Sequence, residues 1–142
     1  MTFGYFKDLT TGLLRGDNAL PKEDNLVIPL LEKAFLKITS RTDVLRVMTL
    51  NKDVGVLRTT GSDYIVRFPT LPSNNDDTLD IDHELAFAAA SYVASYLSNN
   101  NKKYHTQEAE EVIELYMTKV DKILKDIGYD RETQTCNVPR EY

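Results

Sequence analysis

Thr106-Gln107-Glu108-Ala109-Glu110-Glu111-Val112-Ile113-Glu114-Leu115-Tyr116-Met117-Thr118-Lys119-Val120-Asp121-Lys122-Ile123-Leu124-Lys125-Asp126-Ile127-Gly128 is the most regular stretch of this sequence. Within it Ala109, Ile113, Tyr116, Val120, Ile123 and Ile127 step by 4-3-4-3-4, the spacing of one face of an α-helix. Thr106 is placed to cap the helix, with Glu108, Glu110 and Glu111 in its first turns and Lys122 and Lys125 near its end. That order of charge suits the helix dipole. Gly128 supplies the stop. The stripe is too short for an isolated coiled coil, so packing within the chain is the simpler reading.

Working outward from this helix, Asn99-Asn100-Asn101-Lys102-Lys103 is a break, and before it a helix is expected from about Ile81 to Ser98. Leu85, Ala89, Tyr92, Val93, Tyr96 and Leu97 form its core stripe. Its many alanines keep it slim, so neighbours can approach closely. A second helix is expected from Asn25, as N-cap, to about Ser40, with Pro29 near its first turn. Val27, Leu30, Leu31, Ala34, Phe35 and Ile38 point inward, while Glu32, Lys33 and Lys37 face water. Phe3, Phe6, Leu9 and Leu13 recur at helical spacing in a short helix over Phe3 to Arg15, closed by Gly16. Between these helices, Val54-Gly55-Val56-Leu57 and Tyr64 to Phe68 have strand composition, with Thr59 to Asp63 as the turn. Pro69 to Asp80 is a linker. Tyr129 to Tyr142 has no period and little to bury.

The expected fold is therefore mainly α: a small bundle of about four helices with a β-hairpin insertion and a flexible C-terminal tail. Residues 1–128 form one domain with the hairpin near 54–68, and 129–142 form the tail. At 142 residues such a domain needs no cross-link or metal to fold, and Cys136 has no cysteine to pair with. The formal net charge of -5 opposes general attraction to nucleic acid or anionic membranes, and no helix is expected to offer a basic face for DNA. Apolar runs fall short of the about 20 residues that span a bilayer. Met1 to Asp8 lacks the basic-then-apolar order of a secretory signal, so a cytoplasmic protein is expected.

The motifs that suggest chemistry are incomplete. His83-Glu84-Leu85-Ala86-Phe87 begins like the zinc-binding H-E-x-x-H pattern, but Phe87 occupies the place of the second ligand. Asp76, Asp77, Asp80 and Asp82 do not fit a calcium loop: the sixth residue from Asp76 is Ile81 and the twelfth is Phe87. Cys136 lacks a fixed neighbouring base. The six glycines match neither phosphate-binding pattern. Lys102, Lys103, Tyr104 and His105 suit contact with phosphate but read more simply as a solvated loop. Phe3, Tyr5, Phe6, Leu9 and Leu13 suit a membrane or a partner but read more simply as core. No catalytic residue, cofactor or metal is expected. The tail carries Tyr129, Val138, Pro139 and Tyr142 as possible anchors in a partner's pockets, with Arg131 and Arg140 for its polar rim.

The order of pieces also carries a resemblance. The helix Leu26 to Ile38 leads into Thr42 to Val47; a hairpin follows, ending in Ile65-Val66-Arg67-Phe68-Pro69. Then come Asp80 to Ala88, the slim helix with Ala94-Ser95-Tyr96-Leu97, and the long final helix. Over roughly residues 25–128 this resembles the head-to-tail connector (adaptor, or head completion) proteins of tailed bacteriophages. The aromatic N-terminal segment and the stretch Pro69 to Thr78 are not matched. The resemblance implies a non-enzymatic structural protein of the virion neck, made in the host cytoplasm. It implies a homo-oligomeric ring, commonly twelve-fold, beneath the portal protein. The ring extends the channel for double-stranded DNA without reading its sequence and docks a tail or stopper protein; no membrane is involved. It also implies that the C-terminal arm, here Tyr129 to Tyr142, wraps onto the portal. The alternative is a small intracellular helical regulator that binds one protein and has no place in a virion.

Overall fold

The computed structural model describes the backbone of residues 1–42, 47–49, 56–60, 64–126, 129–130 and 135–136, and the side chains of 1–42 and 68–119. Four helices dominate: α1 (Phe3–Leu14), α2 (Asp24–Arg41), α3 (His83–Leu97) and α4 (Lys102–Asp126). The mainly helical class expected from the periodicity is what the chain adopts. At about 1.5 Å per residue, the 25-residue α4 is the longest element.

α3 is the hub, since α1, α2 and α4 each pack on it. Its slimness makes this possible. Ala86, Ala88, Ala89, Ala90, Ser91, Ala94 and Ser95 are buried alongside Leu85, Tyr92 and Val93. The helix is thus covered nearly all round, as expected of a central helix rather than a surface one. The other helices each contribute one stripe. Phe3, Phe6, Thr10 and Leu14 are buried from α1; Val27, Leu31, Ala34, Phe35 and Ile38 from α2; Ala109, Ile113 and Tyr116 from α4. On α1 the buried face is rotated from the expected one, with Leu9 and Leu13 only partly buried. The Thr10 hydroxyl donates to the Phe6 carbonyl at 2.8 Å, which lets a polar residue sit inside. The rest of the expected α4 stripe, Val120, Ile123 and Ile127, lies outside the described side chains.

Several helix ends differ from expectation. α4 begins at Lys102, so Thr106 is not its cap; its hydroxyl instead donates to the Lys102 carbonyl at 2.9 Å from within the helix. α2 begins at Asp24 after Glu23, so Asn25 is already helical. Pro29 lies in the second turn, where the Asn25 carbonyl loses its partner; both residues are exposed, so water can replace it. α1 ends on Arg15, which takes the left-handed conformation (φ 50, ψ 38) ahead of Gly16.

The segment 69–82 is a clamp rather than a slack linker. Phe3 N–H donates to the Asp77 carbonyl at 2.8 Å and Gly4 N–H to the Asn75 carbonyl at 3.0 Å, satisfying free amides at the start of α1. A Cβ on Gly4 would stand 3.3 Å from that Asn75 oxygen, so glycine permits the approach.

Between α2 and α3 lie three short backbone segments, β1 (Val47–Thr49), β2 (Val56–Thr60) and β3 (Tyr64–Arg67), antiparallel in the order β1-β3-β2. Their side chains, and Val54, Gly55 and Gly61 to Asp63, lie outside the described residues, and no hairpin packed on the helices is established. In the tail, β4 (Tyr129–Asp130) pairs antiparallel with β5 (Thr135–Cys136), a two-residue ladder that the sequence pattern does not signal.

Candidate functional site

The residues that suggested chemistry are occupied with structure. His83 is exposed and meets the Phe87 ring edge-on, centroids 5.1 Å apart. Among the described residues no three His, Cys, Asp or Glu side chains gather to hold a metal. The acidic run is spent on local hydrogen bonds. Asp77 Oδ2 accepts from the Ser73 N–H at 2.7 Å, the Ser73 hydroxyl at 2.8 Å and the Asn74 N–H at 3.2 Å. These donors hold its carboxyl below the usual carboxylate range. Asp80 accepts from the Thr70 N–H at 2.9 Å, and Asp82 accepts from the Tyr116 hydroxyl. Phe3 and Phe6 are core residues, stacked on each other at 6.3 Å, so the N-terminal aromatic segment is no free surface, Tyr5 excepted.

Asp17 is the most heavily engaged carboxylate. It accepts from the Ser98 hydroxyl, from the Asn99 N–H at 3.0 Å, and from the Asn100 N–H at 3.3 Å and side-chain amide at 3.0 Å. The turn between α3 and α4 is thereby tied to the turn after α1. The Ser98 hydroxyl, then the Asn100 and Asn99 amides, depress its pKa against an opposing push from partial burial. A depressed folded-state pKa contributes stability that is full above the unfolded value, about 4, and is lost as pH falls through the folded one. Asp17→Asn is therefore expected to lower the melting temperature at pH 7, with the gap to the parent protein closing below about pH 4. Parallel thermal melts across pH check this; a gap unchanged at pH 2 would contradict it.

What remains exposed and organised is charge on two helices. On α2, Lys33, Lys37 and Arg41 follow at intervals of four, with Leu36 beside them about half exposed. This basic stripe corrects the expectation that no helix has one. Lys33 Nζ stands 4.2 Å from the Tyr96 ring centroid and Lys37 Nζ 4.9 Å from that of Tyr92. These two α3 rings stack at 6.4 Å, and their buried hydroxyls have no hydrogen-bond partner among the described residues. Burial pushes both phenols up, Tyr96 to about 12, so both hydroxyls stay protonated and able to donate.

On α4, Glu110, Glu111 and Glu114 make an acidic row beside Leu115, which is 72% exposed. A cleft of about 600 Å³ lies between this row and Arg41, whose guanidinium reaches Glu110 at 3.2 Å. The Lys33–Lys37–Arg41 interval is legible in the sequence; of the acidic row, Glu110 and Glu111 have there only the role of helix-dipole charges, and Glu114 has none. Of the expected tail anchors, Tyr129 has its backbone in β4. Its side chain, and Arg131, Val138, Pro139, Arg140 and Tyr142 entirely, lie outside the described residues, as does the side chain of Cys136. Among the described residues no helix is long and apolar enough to cross a membrane.

No protein-family model, curated protein or solved structure matches this chain.

Proposed function

We propose that this chain is a structural, non-enzymatic protein that assembles into a ring, and that the ring is a head-to-tail connector of a tailed bacteriophage. The supporting observation is the pair of exposed, oppositely charged helix faces: Lys33, Leu36 and Lys37 on α2, and Glu111, Glu114 and Leu115 on α4. Each pairs a half-exposed or exposed leucine with charge of one sign. Faces that differ and complement each other dock copies head to tail, and such contacts close into rings when the rotation permits. The connector reading adds the order of helices and strands described above. In it, the 54–68 hairpin reaches a neighbouring copy. The tail, with Tyr129, Arg131, Val138, Pro139, Arg140 and Tyr142, anchors on the portal. The ring, twelve-fold by resemblance, sits in the virion neck around passing DNA.

Charge reversal tests the docking. Lys37→Glu and Glu114→Lys should each weaken self-association about tenfold or more, since like charges then face each other. The double variant should recover part of the loss. Analytical ultracentrifugation over a salt series reads this, and negative-stain images of the chain mixed with a portal read the connector assignment. A chain that stays monomeric at every concentration, with or without portal, would overturn the ring and favour the small regulator that binds one protein.

A further inference from the structure

A second site lies where the end of α1 meets the start of α4. A cleft of about 390 Å³ there is lined by Leu13, Leu14, Arg15, Asn101, Tyr104 and His105. His105 is 3% exposed, and its buried Nε2 has no hydrogen-bond partner among the described residues. An imidazole nitrogen is always a donor or an acceptor, and buried ones are nearly always paired, so this atom wants a partner that the described residues do not supply.

The surroundings say what charge that partner carries. The first amides of α4 have no carbonyl one turn back, and a helix N-terminus is electropositive. An acid there is favourable, yet α4 has none in its first turn and begins with Lys102 and Lys103, both exposed. The Arg15 guanidinium adds a further cation and has no carboxylate partner among the described residues. Asp17, which ties the adjoining turn, has both carboxylate oxygens engaged by Ser98, Asn99 and Asn100. The walls are apolar: Leu13, Leu14 and the Tyr104 ring, which stands edge-on to His105 at 5.5 Å.

From this we infer that the cleft binds a phosphomonoester with a small apolar body. The phosphate is taken by Arg15, the α4 amides and His105, and the body lies against Leu13, Leu14 and Tyr104. A phosphate suits the site better than a carboxylate because the donors outnumber what two carboxylate oxygens use. The backbone gives an independent handle. Arg15 is the one non-glycine residue with positive φ among the described residues, at a helix end where glycine is favoured.

Phenyl phosphate is the probe, with inorganic phosphate and benzoate as comparisons, and histidine ring NMR is the readout. The chain has two histidines, and the exposed His83 serves as the internal control. Saturable shifts of His105 with His83 unmoved are expected, tightest for phenyl phosphate. Arg15→Gly should raise the melting temperature by relieving the left-handed arginine, yet weaken binding about tenfold or more through loss of the charge-assisted bonds. Preserved binding in Arg15→Gly, no shift of His105, or equal shifts of both histidines would each overturn the assignment.

Discussion

Phe35→Ala is expected to cost about 3–5 kcal/mol of folding free energy. Phe35 is fully buried on the inner face of α2, and its ring meets Phe68 edge-on at 6.3 Å. Removing it deletes a phenyl ring's worth of apolar burial and leaves a cavity. The cost depends on how far the surroundings collapse into that space. Here the central helix presents Ala86, Ala88, Ala89 and Ala90 to the core, side chains with no rotamer to swing inward. The upper part of the range is therefore expected. Domains of this kind have about 5–15 kcal/mol in all, so much of the stability goes with one ring. Urea titration measures it as a shift of the midpoint at constant slope. Leu36→Ala, one residue along and about half exposed, is the control and should change stability by about 0.5 kcal/mol or less. A loss below about 1 kcal/mol for Phe35→Ala would contradict the placement of α2 on α3.

Ala89→Leu is expected to destabilise by about 1–3 kcal/mol or more, although leucine is a good helix former and more apolar. Ala89 is fully buried in α3, the helix that contacts each of the other three. Extra methylenes there must displace a packed helix or force strained rotamers, because protein interiors leave few voids. The direction distinguishes a hub from a surface helix. On a surface helix the same change would be neutral or stabilising, and that outcome in denaturant titration would refute the hub.

The two substitutions mark the boundary of what was legible. Phe35 sits on a stripe that alternates with Lys33, Leu36 and Lys37, so its inward direction follows from helical geometry alone. Ala89 falls on the expected core stripe with Leu85, Tyr92 and Val93, but only the structure shows that Ala86, Ala88 and Ala90 are buried as well and that α3 is enclosed nearly all round, so that no side of Ala89 has room. The candidate sites divide in the same way. The α2 stripe Lys33, Lys37 and Arg41 is an interval in the sequence. The cleft joins Arg15 to His105, ninety positions apart in the numbering, and no local pattern relates them.

The sequence by itself determined the helical class, the approximate course of the four helices and most of their inward faces, because these follow from the 3.6-residue period of each segment. It also excluded the zinc and calcium motifs, because those need ligands at fixed spacings that Phe87 and Ile81 break. Only the tertiary structure decided where α4 begins, since Asp17, some 80 residues earlier, organises the turn before it, while Thr106 turns its hydroxyl to a helical carbonyl. It alone assigned Asp77 to the clamp on α1 and left the Nε2 of His105 buried without a partner among the described residues. Hydrogen bonding and burial are settled by residues far apart in the chain, whereas periodicity is settled by those one turn apart.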